Sequence, residues 1–290
     1  MLLQRTRRRP RNLRLLHLVP NLFTILGLCA GLTGIRYALD GRWELAVTFI
    51  VVAGVFDGLD GRSARMLKLT SKLGAELDSL ADFLSFGVAP AVIVYLWTLR
   101  DVQGFGWALA MLFATCCALR LARFNSELEN PDRPRWTLHF FTGIPAPAAA
   151  GLALLPMMMS FAGAPAFVQG WWLNAALVLF VACMMVSRVP TFSVKRLRVR
   201  RDLVLPTLLA CGLFIAFAVA QPWLMLSLCG LAYLAALPFS LVAAHRMRLE
   251  EEARTATVEE QAPHGAPDAG GRPSDPGRIV SLEPRQAKQP

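Results

Sequence analysis

Eight apolar segments, near residues 20–39, 44–60, 76–98, 105–122, 143–162, 171–188, 203–220 and 223–243, run through most of this 290-residue chain. A bilayer is crossed by about 17–25 predominantly apolar helical residues, so each segment is long enough to span it. With 55% hydrophobic residues and a mean hydropathy of +0.45, the chain is too apolar for an ordinary soluble domain. The expected fold is all-α, a polytopic integral membrane helical bundle of about eight transmembrane helices.

The formal net charge of +10 raises the question of nucleic acid. Its placement answers otherwise. If the N-terminus is cytoplasmic and the chain crosses eight times, all of the 30 Lys and Arg residues except Arg36, Arg42 and Arg100 fall on the cytoplasmic side. That is the bias expected of loops that stay inside, and it makes the charge a topology and lipid-surface signal. Arg5, Arg7, Arg8, Arg9, Arg11 and Arg14 lie in a basic juxtamembrane arm, residues 1–19, suited to anionic head groups. No aromatic or base-reading pattern accompanies them, so no nucleic-acid partner is expected. Residues 20–245 read as one transmembrane domain. Residues 246–290, rich in Glu, Pro, Gly and Ala, have too few apolar side chains for a core and are expected to form a disordered cytoplasmic tail. The six cysteines fall within apolar segments and lack C-x-x-C spacing, so neither disulfides nor zinc is indicated.

Between the second and third apolar segments lies DGLDGRSARMLKLTSKLGAELDSLADF, Asp57 to Phe83. If the second segment continues as a helix, Asp57 and Asp60 share a face at its end; Asp78 and Asp82, four apart, share a face near the start of the next. A short link folds these helices antiparallel and brings the two acidic pairs to one level at the cytoplasmic face. Four carboxylates that close repel unless cations sit among them. Oxygen-only ligands favour hard divalent ions, Mg²⁺ or Mn²⁺, over zinc. A solvated, N-capping acidic face paired with Arg62, Arg65, Lys68 and Lys72 is the plainer alternative, but charge beside membrane helices is costly and by default marks function.

The spacing Asp57-x2-Asp60-Gly61-x2-Ala64-Arg65-x8-Gly74-x3-Asp78-x3-Asp82 resembles the full signature of the CDP-alcohol phosphatidyltransferase family, with all eight fixed positions filled. The resemblance implies a six-helix catalytic core, here with two further C-terminal helices, and transfer of a phosphatidyl group from CDP-diacylglycerol to a small alcohol with release of CMP. By position in the signature, Asp57, Asp60, Asp78 and Asp82 would hold metal, two ions in all, and Asp82 would also act as general base. Gly58, Gly61, Ala64 and Gly74 would let the nucleotide approach the backbone, and Arg65 would pair with phosphate through its fork of donors. Helix packing is the structural alternative for those small residues. Asn21 and Thr24, at the cytoplasmic start of the first span, can hydrogen-bond the nucleotide or cap the helix. The resemblance also implies a homodimer and, for a bacterial chain, an inner-membrane location with both termini and the active site cytoplasmic.

The segments PNLFT (20–24), LRLARFN (119–125), FTGIPAPAAAG (141–151) and VSRVPTFSVKRL (186–197) are similar to the phosphatidylserine synthase branch of that family, which implies L-serine as acceptor. Arg120 and Arg123, three apart, can share a face and clamp an anion, either serine carboxylate or lipid phosphate. Asn125 can add a hydrogen bond, and Arg188 poses the same choice between anion binding and anchoring a helix end at head groups. Glycerol 3-phosphate, inositol, inositol phosphate and choline remain alternative acceptors. A secondary transporter, the reading from another class, would place its acids near the membrane midplane between inverted repeats, and no repeat is apparent.

Overall fold

The computed structural model describes residues 19–67, 72–128, 141–187, 190–191 and 204–238. Most of the basic arm, all of the C-terminal tail, Lys68 and Arg188 lie outside the described residues, as do the side chains of Ala64 and Arg65.

The chain opens with an antiparallel pair, α1 (Val19–Leu39) and α2 (Trp43–Leu67). Residues 40–42 make the turn between them. Gly41 takes φ +71°, a left-handed conformation open to glycine, and its N–H donates to Ala38 O at 3.1 Å while Arg42 N–H donates to Tyr37 O at 2.9 Å. The Tyr37 and Phe49 rings stack across the start of the pair at 5.3 Å, with the Arg42 guanidinium 5.2 Å from the Tyr37 ring.

Next comes a long rod. It runs from α3 (Lys72–Asp82) through a π-helical turn, Phe83–Val88, into α4 (Ala89–Val94), and ends in a second π turn and a 3-10 turn, Tyr95–Leu99 and Arg100–Val102. α5 (Gln103–Leu128) returns alongside it. A two-residue antiparallel pair, β1 (Phe141–Thr142) with β2 (Pro190–Thr191), supplies the only strands among the described residues. Between those strands lie α6 (Ala146–Ala153), α7 (Leu155–Phe161) and α8 (Trp171–Val186), with α8 packed on α5. α9 (Val204–Ala220) and a final helix α10, Pro222–Pro238, close the described chain.

The interior is filled by Phe113, Ile93, Leu99, Ile144, Leu152 and Met157. Large apolar side chains also point outward: Leu22, Ile25 and Leu32 on α1, Trp107 and Met111 on α5, Leu179 and Phe180 on α8, Leu213 and Ile215 on α9. Helices apolar both inside and out are what a bilayer accepts. Among the described residues, Val19–Leu39, Leu73–Val102 and Gly104–Ser126 are long and apolar enough to cross, with a fourth crossing if Gly212–Ala220 and Pro222–Pro238, bent by 118°, form one broken span.

The other expected crossings differ for physical reasons. α2 carries Glu44 at one end and Asp57, Asp60 and Arg62 toward the other, which leaves it no long uncharged stretch. The segment near 143–162 is divided at Leu154, just before Pro156, into two short helices. α8, at 16 residues, is about 24 Å long at 1.5 Å per residue, short of a hydrocarbon layer of about 30 Å.

Small residues set how closely the rod approaches α1. Gly27, Ala30, Gly31, Gly34 and Ala38 are all buried on one side of α1. A Cβ added to Gly31 would stand 2.6 Å from Ser85 Oγ and 2.9 Å from Ser85 Cα, and one added to Gly34 would stand 3.1 Å from Ala46 O. Such contacts replace the hydrophobic effect as the source of helix association in lipid.

Gly31→Val is therefore expected to lower the melting temperature of the detergent-purified protein, at a cost of about 1–3 kcal/mol for overpacking. Gly151→Ala, where an added Cβ meets nothing within 4 Å, is expected to melt at or slightly above the parent. Equal behaviour of the two variants would contradict the packing described.

Candidate functional site

Three elements meet at one cleft. α1 contributes Thr24, α2 contributes Asp57 and Asp60, and α3 with the π turn after it contributes Asp78, Asp82 and Ser85. The helical repeat explains the pairing: Asp60 follows Asp57 at i+3 and Asp82 follows Asp78 at i+4, so each pair shares a face. Because α1 packs against both α2 and α3, the two acidic faces are held opposite each other.

The carboxylate oxygens of Asp57, Asp60 and Asp78 lie within 4.8 Å of one another. Like charges at such a distance repel by about 3–4 kcal/mol per pair at an effective dielectric of 20. Asp60 is the most enclosed, 6% exposed, and its Oδ2 accepts a hydrogen bond from Thr24 Oγ1 at 2.9 Å. The Thr24 hydroxyl also lies 3.2 Å from Pro20 O, one turn back on its own helix. Thr24 thus orients a buried carboxylate across the α1–α2 contact. Ser85 Oγ donates to Gly27 O at 3.2 Å and ties the π turn to α1 directly beneath the acids. A π turn placed immediately after Asp82 shifts the helical register there, a feature common at functional sites.

The donor set fits a hard divalent cation. It is all oxygen, three carboxylates converge within the span that one ion can bridge, and none of the described His or Cys residues joins them. Asp57, Asp60 and Asp78 could hold such an ion. Asp82 lines the same cleft beside this closest group.

The remaining candidates separate. Gly58 is exposed and a Cβ there would meet nothing within 4 Å, which leaves the backbone open to a ligand. Gly61 is exposed and Gly74 half-buried, both at the same end of α2 and α3 as the acids. Asn21 is half-buried one turn before Thr24. Arg120 and Arg123 have different partners. Arg123 Nη1 donates to Val186 O at 2.9 Å and so satisfies a carbonyl at the end of α8, whereas Arg120 turns inward, within electrostatic reach of Asp82. Asn125 Nδ2 donates to Ser79 Oγ at 2.8 Å and links α5 to α3 beside Asp78. Sequence reasoning passed over Ser85, whose signal was a lone hydroxyl three residues after Asp82 in an apolar run. It also passed over Tyr233 on α10, which lies within electrostatic reach of Arg120.

Comparison with known proteins agrees with this geometry. The family model for CDP-alcohol phosphatidyltransferases matches residues 17–242. The chain is 37% identical over 241 residues to the CDP-diacylglycerol--serine O-phosphatidyltransferase of Mycobacterium leprae (strain TN), covering 80% of this chain and 78% of that protein. It is 35% identical over 232 residues to the enzyme of that name from Mycobacterium tuberculosis (strain ATCC 25618 / H37Rv), covering 78% and 79%. The Helicobacter pylori (strain ATCC 700392 / 26695) enzyme of the same name is 42% identical over 144 residues, covering 50% of this chain and 59% of its own. With an acid-lined cleft at the junction of α1, α2 and α3 and a match that spans nearly every described helix, this chain belongs to the CDP-alcohol phosphatidyltransferase family.

Proposed function

We propose that this protein transfers the phosphatidyl group of CDP-diacylglycerol to L-serine, giving phosphatidylserine and CMP. The observation that carries the reading is the convergence of Asp57, Asp60 and Asp78 within 4.8 Å, with Asp82 in the same cleft. The serine part rests on relatives named for that acceptor that align over about four-fifths of the chain. Asp57, Asp60, Asp78 and Asp82 hold divalent metal, Mg²⁺ or Mn²⁺, two ions by analogy with the family. When bound, the metal supplies charge neutralisation for the pyrophosphate and its leaving oxygen.

The residues of the chain do the rest. Thr24 fixes Asp60 in orientation, as partners of ligating carboxylates do. Gly58, Gly61, Ala64 and Gly74 admit the nucleotide close to the backbone, Arg65 pairs with its phosphates, and Asn21 adds a polar contact. Asp82, the acid within electrostatic reach of Arg120, accepts the proton of the serine hydroxyl. The freed oxygen attacks the phosphorus that carries the diacylglycerol; the bond from that phosphorus to the bridging oxygen breaks, and CMP leaves. Arg120 and Arg188 supply positive charge for the acceptor carboxylate or the lipid phosphate, while Arg123 and Asn125 brace α5 against α8 and α3.

The topology follows the charge. Eight crossings, with the short and broken helices completing the bundle, put the acids at the cytoplasmic face of a bacterial inner membrane, where the nucleotide is soluble. The basic arm of residues 1–19 rests on anionic lipid, residues 246–290 form the cytoplasmic tail, and the working unit is a homodimer.

The purified protein, supplied with CDP-diacylglycerol, Mg²⁺ or Mn²⁺ and serine, is expected to release CMP and form phosphatidylserine. Glycerol 3-phosphate, inositol, inositol phosphate and choline are expected to release little; CMP release with one of them in place of serine would refute the acceptor. Asp82→Asn is expected to reduce turnover by about 10²–10⁴-fold, the usual worth of a general base; near-normal turnover removes Asp82 from that role. Thr24→Val is expected to weaken Mn²⁺ binding, followed by titration, by about 10–100-fold. An unchanged titration would mean that Asp60 does not depend on Thr24.

A further inference from the structure

The last helix carries a buried polar group within electrostatic reach of Arg120. Leu226, Gly230, Tyr233 and Leu237 recur at intervals of four, three and four residues, so they form one face of α10. That face is docked. A Cβ at Gly230 would stand 2.8 Å from Leu155 Cδ1, Leu237 is buried, and about two turns before Gly230 the Trp223 ring meets Phe161 edge to face at 5.0 Å. Tyr233 is thereby held with its ring against the core.

Its hydroxyl is buried and has no hydrogen-bond partner among the described residues. The same holds for Nε of Arg120 on α5. The two groups lie within electrostatic reach of each other, and Arg120 also faces Asp82 and Cys117. A buried donor left unpaired costs about 1–3 kcal/mol, more for a charged one. Two such donors on different helices, within electrostatic reach of each other and bonded to no acceptor among the described residues, offer a place for an anion that both can reach. The adjacent Asp82 narrows the choice. A carboxylate two carbons removed from a hydroxyl lets one small molecule meet Arg120 and Tyr233 at one end and Asp82 at the other.

We propose that Tyr233 Oη and Arg120 Nε together bind the carboxylate of the acceptor amino acid, which makes α10 a specificity element of the active site. The proposal rests on the serine reading above. Tyr233 donates its O–H to one carboxylate oxygen, and Arg120 donates from Nε to the carboxylate, so the acceptor hydroxyl is turned toward Asp82. An alcohol without the carboxylate, such as ethanolamine, leaves both donors unpaired and is rejected for that reason.

Tyr233→Phe keeps the ring and removes the hydroxyl. It is expected to raise the KM for serine about tenfold, leave the KM for CDP-diacylglycerol within twofold, and reduce the preference for serine over ethanolamine in kcat/KM about tenfold. Arg120→Lys, which keeps the charge and loses Nε, is expected to shift the serine KM in the same direction. Thermal melting of both variants reports on folding. An unchanged serine KM in Tyr233→Phe, while the wild type uses serine, overturns this proposal alone. A rise confined to the KM for CDP-diacylglycerol overturns it in favour of lipid phosphate as the anion, and a joint rise in both with a lowered melting temperature overturns it in favour of a packing role. No serine turnover by the wild type overturns the acceptor assignment and this proposal with it.

Discussion

Carboxylates brought together beside a bilayer repel one another, and the rest of this structure can be understood as the means of holding them there. Asp57 and Asp60 stand two to three turns before the end of α2, Asp78 lies in the second turn of α3, and one carboxylate oxygen from each is kept within 4.8 Å of the others. No hydrophobic term favours that arrangement, since lipid tails are as apolar as the side chains packed against them. What holds it is close backbone contact. Gly31 lets Ser85 approach α1 so nearly that a methyl group would not fit, and Ser85 bonds to Gly27 O from the turn that follows Asp82. The repulsion that remains would favour the uptake of a divalent cation among the three carboxylates.

Around this acid-lined junction the helices divide their work. α1 is both packing surface and orienting element, since Thr24 on the same buried side as Gly27 and Gly31 fixes Asp60. α5 carries Arg120 inward and is itself braced at two points, through Asn125 to Ser79 on α3 and through Arg123 to the end of α8. α10 closes the described bundle with Tyr233 on its docked face. The acid-lined cleft thus belongs to α1, α2 and α3, and the buried Arg120 and Tyr233 to α5 and α10.

Much of the site was legible before the structure because its residues are close in sequence. Asp57, Asp60, Asp78 and Asp82 lie within 26 residues at helical spacing, and the periodicity alone predicts which of them share a face. Thr24 could be named but its two readings could not be separated, because a hydroxyl at a helix start caps as readily as it contacts a ligand; the bond to Asp60 is a contact across 36 residues. Arg120 and Arg123 looked equivalent at i and i+3. Only the position of the α8 end, with its terminal carbonyl at Val186 accepting from Arg123, distinguishes the brace from the inward-facing charge. Tyr233 was out of reach, since its partner is more than a hundred residues earlier and its own helix reads as plain hydrophobic. The fold was legible as helical, but hydropathy could not reveal the break at Leu154 or the 118° bend before Pro222, which arise from proline and tertiary packing.

The most direct test is a crystal or cryo-EM structure of the protein with Mn²⁺ and a CDP-lipid, with the metal located by anomalous scattering in the crystal case. The account predicts metal density among the carboxylates of Asp57, Asp60 and Asp78, with the pyrophosphate oxygens bound to it. Metal elsewhere, or those three side chains turned away from the bound nucleotide, would contradict it.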